Sequence, residues 1–121
     1  MPKGYKIDAE KRTITEVPVG DYKTIYPHLS TSVKAVDCFT IVGIEKDDSI
    51  FVDDEGLLTI TPLTPFFMYE GYNQPLAGNG LVLGTDEEGE SVDPKNTLDF
   101  IKSKVKWMTA REAYLWSLKN Q

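Results

Sequence analysis

The stretch Gly80-Leu81-Val82-Leu83-Gly84 constrains the fold most. Three apolar residues in a row leave a strand no polar face to give to water, so a strand here belongs in the middle of a sheet. Before it comes the turn-rich Gln74–Asn79; straight after it comes the acidic Thr85-Asp86-Glu87-Glu88-Gly89-Glu90. The upstream sequence reads as paired strands, and the downstream sequence reads mostly as helix.

The upstream strands carry their own signals. Tyr5, Ile7, Ile14, Val17 and Val19 alternate around the polar Asp8-Ala9-Glu10-Lys11. This predicts a β-hairpin with strands near 4–8 and 12–18, the second stopping at Pro18 or lying on an edge. The β-branched and aromatic run from Cys38 to Ile44 predicts another strand, which turns at Glu45–Asp48 and returns as Ser49–Val52. Asp53-Asp54-Glu55-Gly56 terminates that second hairpin, and Gly56 is expected to take a positive φ. Phe66–Tyr69 reads as a strand or a loop packed on the core, and residues 71–79 as a loop.

Helix signals are fewer. Asp21 is a candidate N-cap for a short helix with Tyr22, Ile25, Tyr26 and Leu29 on one face. Pro27 either ends that helix near Tyr26 or moves its start. Asp93-Pro94 or Asn96 opens a second helix that presents Leu98, Ile101 and Val105, although 104–107 also alternates like a strand. Thr109-Ala110-Arg111-Glu112 has the spacing of a capping box and opens a last helix. The class expected is α+β: a mixed, mainly antiparallel sheet of about five or six strands, with two or three helices packed on one side. Phe39, Ile41, Phe51, Leu81 and Leu83 are expected in one core.

A chain of 121 residues suits a single domain, and 40% hydrophobic with 26% charged residues is globular composition. No window approaches the roughly 18 apolar residues that would span a bilayer. The N-terminus, MPKGYKIDAEKR, has no apolar core, so no signal peptide is expected. The single Cys38 excludes an intramolecular disulfide and fits a reducing cytoplasm. It is expected to be a small buried hydrophobe, and nothing ties it to the one histidine, His28.

The net charge of −6 is unevenly spread. Residues 45–93 carry one basic side chain, Lys46, and twelve acidic ones; the flanking segments 1–44 and 94–121 are net +1 and +4. A solvated acidic surface is the plainest account of such a run. The sharper one is an acidic face that repels nucleic acid and attracts a basic partner.

No recognised chemical motif competes with this. Asp86–Glu90 lacks the alternating ligands and terminal Glu of a calcium loop. One His and one Cys do not make a zinc site. Gly78, Gly80 and Gly84 form neither a dinucleotide nor a Walker fingerprint, because no Lys-Ser/Thr follows and the second glycine precedes a strand. Turn and close-packing roles fit them better. Lysines near Trp107 and Trp116 hint at nucleic-acid contact, but the acidic balance and the lack of a motif argue against it. No catalytic residue, metal ligand set or cofactor is therefore assigned. The candidate binding residues are Asp53, Asp54, Glu55, Asn79, Asp86, Glu87 and Glu88.

Four segments taken together are distinctive: GDYKTIY at 20–26, FTIV at 39–42, FVDDEGLL at 51–58 and QPLAGNGLVLG with its acidic tail at 74–90. On these the chain resembles a family of small proteins from phage, plasmid and bacterial genomes, known only as a domain of unknown function. The resemblance covers about residues 5–107 and leaves 109–121 as a C-terminal helical extension. It carries no activity, cofactor or catalytic residue. It implies an accessory protein acting in the host bacterial cytoplasm. Two functional readings are open: a non-enzymatic binding protein that modulates a basic host protein, or a small-molecule or metal-dependent site between the 53–56 turn and the 79–88 segment.

Overall fold

The computed structural model describes residues 2–120. Two hairpins form where the alternation predicts them. The first joins β1 (Lys3–Asp8) to β2 (Thr13–Pro18), with Ile7 opposite Ile14. The second joins β3 (Phe39–Gly43) to β4 (Ser49–Asp53), with Ile41 opposite Phe51. Its turn is tight enough to hold Lys46 and Asp47 at φ 59° and 61°, in the left-handed region.

Between Phe66 and Thr85 lie β5 (Phe66–Tyr69), the two-residue β6 (Leu76–Ala77) and β7 (Gly80–Thr85). Strand β7 inserts between the hairpins, giving the order β2-β1-β7-β4-β3, and β8 (Ser91–Val92) pairs with its far end. Apolar on both faces, β7 takes the central place that its sequence demands. Every pairing in the sheet is antiparallel, so the mainly antiparallel expectation holds without the parallel component that "mixed" allowed.

The two faces of this sheet bury separate clusters. Ile7, Val42, Ile50, Val52 and Val82 pack beneath a second sheet, ordered β6-β5-β9, through Phe67 and Tyr69. Here β9 is Val105–Met108, the segment with two possible readings, and it resolves as a strand antiparallel to β5. Helix α2 (Leu98–Lys104) adds Ile101 to the same cluster. On the opposite face α1 (Ile25–Leu29) sets Ile25 and Leu29 against Phe51, Leu81 and Leu83. Helix α3 (Ala110–Lys119) lies outside the small sheet, with Ala113 packed by Phe66 and Ala77. Helices therefore cover both faces of the large sheet, not one, because a central strand with two apolar faces must be covered twice.

Several local expectations change for physical reasons. Ile41 is 54% exposed although its partner Phe51 is buried, because β3 is the sheet edge and, among the described residues, no strand pairs beyond it. Tyr22 stands off the helical face at 60% exposure and meets Tyr26 edge-on. Pro27 lies inside α1, in the first turn, where its missing N–H has no intrahelical partner to lose. The cap of α2 is Thr97, whose Oγ accepts from Phe100 N–H at 3.1 Å. Asp93 and Asn96 are spent elsewhere: the Asp93 carboxylate accepts from Lys3 N–H at 2.8 Å, and Asn96 is buried against Asp48. Gly56 does not take a positive φ; its place is one of close packing, where a Cβ would lie 3.1 Å from that of Ala77. Among the described residues no helix is long and apolar enough to cross a membrane.

Candidate functional site

Strands β4 and β7 run antiparallel, with Ile50 opposite Val82 and Phe51 opposite Leu81. The end of β4 at Asp53 thus lies beside Asn79, the residue before β7. The end of β7, with Asp86, lies beside the β3–β4 turn. At about 3.3 Å per residue the two acidic turns are on the order of 20 Å apart, at opposite ends of the sheet. No single small ligand can touch both.

At the first end the candidates are largely engaged with the protein itself. The Asp53 carboxylate is 5% exposed, and its Oδ2 lies 2.6 Å from Lys34 Nζ. Its Oδ1 accepts from Glu55 N–H at 3.0 Å. Partial burial works against the Lys34 ammonium, but the Asp53 hydrogen bond and charge hold its pKa above the usual lysine value. Glu55 accepts the Cys38 thiol at 3.1 Å, while Asp54 is exposed. Cys38 is half-buried, not a buried hydrophobe, because it lies just outside β3. Its hydrogen bond to Glu55, with desolvation and the nearby carboxylates, pushes the thiol up to about 11. Ligand atoms of Asp37, Cys38 and Glu55 fall within 4.8 Å of one another. Asn79 is 2% exposed; its Oδ1 accepts from Ala9 N–H at 2.9 Å and its Nδ2 reaches the Ser30 carbonyl at 3.4 Å. It ties the first hairpin to the segment after α1.

The glycines have the turn and packing roles expected. Gly78 has φ +83°. A Cβ on Gly80 would meet Phe67 Cζ at 2.9 Å, and one on Gly84 would meet the Asp93 carbonyl at 2.5 Å.

The second end is built differently. Asp86 Oδ1 accepts from the N–H groups of Glu88 and Glu90, both at 2.9 Å, and Asp86 N–H donates to the Glu90 carbonyl at 3.0 Å. Gly89, with φ +85°, completes the turn. One carboxylate is consumed in bracing the loop, which leaves Glu87 and Glu88 exposed. They face an open depression of about 760 Å³ whose other walls are Asp47, Thr85 and Lys95. The Lys95 ammonium is turned to the Thr85 carbonyl at 3.1 Å. Acids from two turns some forty residues apart in sequence therefore share one concavity, with a single lysine among its lining residues.

Beneath it Asp48 is fully buried. Its Oδ1 accepts from Lys95 N–H and its Oδ2 from Asn96 N–H, both at 2.9 Å, and Oδ2 also takes Asn96 Nδ2 at 2.8 Å. Asn96 Nδ2 further donates to the Glu45 carbonyl at 2.7 Å, and Tyr5 donates its hydroxyl to the Asn96 carbonyl at 2.8 Å. These bonds position the turn that carries Asp47. Sequence reasoning missed Asp47, Asp48, Lys95 and Asn96. Asp47 could have been placed by considering β7 antiparallel to β4; the Asp48–Asn96 contact has no local signal.

The sequence pattern described as Domain of unknown function (DUF3846) matches residues 2–106. The chain belongs to this family. No curated protein and no solved structure matches it. The match includes every residue of the acidic depression and of the Asp48 network that supports it. The DUF3846 region ends within β9, so α3 begins beyond it. An apolar groove of about 220 Å³ between Leu57, Ile60 and Pro75 on one side and Tyr114 and Trp116 on the other depends on that helix. The groove is smaller than the roughly 300–1,000 Å³ common for small-molecule sites. The acidic end, by contrast, lies entirely within the matched region.

Proposed function

We propose that this DUF3846 protein is a non-enzymatic binding protein that docks a basic segment of another protein on its acidic end. The observation that carries the reading is the convergence of Asp47, Glu87 and Glu88 on one open depression, with the Asp86 loop braced by its own carboxylate. Fixed like charges repel one another, and a basic partner relieves that repulsion while being steered toward it. The resemblance drawn from the sequence implies a phage or plasmid context, which favours a partner inside the bacterial host, whose activity the protein would modulate from the cytoplasm.

The test is the charge-neutral variant Asp47→Asn, Glu87→Gln, Glu88→Gln, which keeps the Asp86 brace, beside the parent, each immobilised and exposed to bacterial lysate at low and high salt. The parent should retain a basic protein that elutes as salt rises, and the variant should fold as well but lose it. Equal retention by both overturns the reading. So does a saturable rise in melting temperature with a divalent cation that the variant lacks, since that linkage marks a metal site.

A further inference from the structure

The two edges of the large sheet differ in a way that the acidic end does not explain. At the β2 edge, Val19 N–H donates to the Pro2 carbonyl at 2.9 Å. With the register Lys3↔Pro18, this sets the alternation so that Ile14, Glu16 and Pro18 turn their backbone groups outward. Pro18 has no N–H to offer, and Glu16 is charged and paired to Lys3 at 3.2 Å. That edge is protected against adding a strand. At the β3 edge, Ile44 N–H donates to the Asp48 carbonyl at 2.9 Å and Asp54 N–H to the Cys38 carbonyl at 3.3 Å. The outward residues are therefore Phe39, Ile41 and Gly43. None is charged and none is proline. Among the described residues β4 lies on one side of β3 and no strand on the other. Beside this open edge the 54%-exposed Ile41 and the half-buried Phe39 share a face, and Phe39 continues into the ring row Tyr26–Tyr22.

We propose that β3 receives an extended segment of the partner as an additional strand. The segment has alternating apolar residues over Phe39 and Ile41 and carries Lys or Arg just beyond Gly43. This rests on the acidic-docking reading and gives that partner a shape. Charge complementarity selects the occupant. The β3–β4 turn that follows Gly43 contributes Asp47 to the acidic depression, so a strand leaving β3 at that end delivers its basic residues there. The same charges oppose a second copy of this chain. Antiparallel self-pairing about Ile41 sets the Asp37 and Glu55 end of one copy against the Glu45 and Asp47 end of the other, a juxtaposition of like charge. Main-chain bonds would supply affinity, and the alternate side chains and basic tail specificity.

The probe is a synthetic peptide of alternating Val and Thr with a Lys-Arg tail, added to the full chain while amide exchange is followed residue by residue. Exchange at Phe39, Ile41 and Gly43 should slow by at least about tenfold, with Thr40 and Val42 unchanged because β4 already holds them. The effect should vanish when alternate peptide amides are N-methylated, and in Ile41→Pro, which removes one outward donor at an exposed position and spares the β4 ladder. Ile41→Lys, a second variant at a solvent-facing side chain, should weaken it as well. The proposal is overturned by unchanged exchange at the highest peptide concentration reached, or by equal binding of the methylated peptide. Protection that grows with protein concentration alone overturns it too, since a second copy then holds the edge. The two readings fail separately. If the acidic variant loses its lysate partner but the peptide never protects β3, only strand addition falls. If a Glu-Glu tail protects as well as Lys-Arg and the acidic variant keeps its partner, acidic docking falls and the basic tail with it, while strand addition at β3 stands.

Discussion

Asp48 Oδ2 accepts two donors from one residue, the backbone N–H of Asn96 at 2.9 Å and its side-chain amide at 2.8 Å. With Lys95 N–H on Oδ1, a buried carboxylate replaces water for three donors nearly fifty residues away in sequence. Asp48→Ala strands those donors in the interior and should cost about 3 kcal/mol. A urea melt with an unchanged slope and a lower midpoint is the expected record, together with faster amide exchange at 95 and 96. A variant as stable as the parent would mean that water satisfies these groups at no cost.

Phe51 and Ile41 face each other across the second hairpin but differ in burial, 8% against 54% exposed. Phe51 is packed by Phe39, at 5.0 Å between ring centroids, and shares its cluster with Leu81 and Leu83. Phe51→Ala should cost about 3–5 kcal/mol, the range for deleting a core aromatic. Ile41→Ala should change stability by less than about 0.5 kcal/mol. Thermal melts of the pair check both, and similar losses would place Ile41 under cover in solution.

Thr109 and Glu112 close a complete capping box: Thr109 Oγ accepts from Glu112 N–H at 3.1 Å, and Glu112 Oε1 from Thr109 N–H at 3.0 Å. Thr109→Ala should weaken α3 by about 1 kcal/mol. Exchange should quicken across 110–119 and not in β7. Loss of protection throughout the protein would show that Ala113, packed on Phe66, joins α3 to the global unfolding unit.

Cys38 is accessible but should react slowly. With its pKa at about 11, not 9.0, the thiolate fraction near neutral pH falls roughly a hundredfold. Alkylation by iodoacetamide should be correspondingly slow, rising as pH approaches 11. Glu55→Gln removes the hydrogen bond to a carboxylate and its charge, and should speed the reaction at neutral pH. Rapid alkylation of the parent would place the thiol free of Glu55.

Much of the fold was legible because its signals are short. Alternation located both hairpins to within a residue or two, Thr109 and Glu112 announced their cap at a spacing of three, and Leu81-Val82-Leu83 required a central strand. The Phe66–Tyr69 run also kept its place in the core. Such features depend on φ, ψ and side-chain direction over a few residues, which nearby sequence controls.

The tertiary structure alone decided what those elements do together. Nothing local states that β7 enters between two finished hairpins, or that it runs against β4. Yet that direction sends Asp53 and Asp86 to opposite ends of the sheet and brings Asp47, not Asp53, beside Glu87 and Glu88. It also leaves β3 as the open edge, so Ile41 faces water although its sequence reads as core. Pairing partners and direction follow from which apolar faces can be buried at the same time. That is a property of the whole chain, because contacts such as Asp48 with Asn96 gain free energy only after the intervening loop has closed.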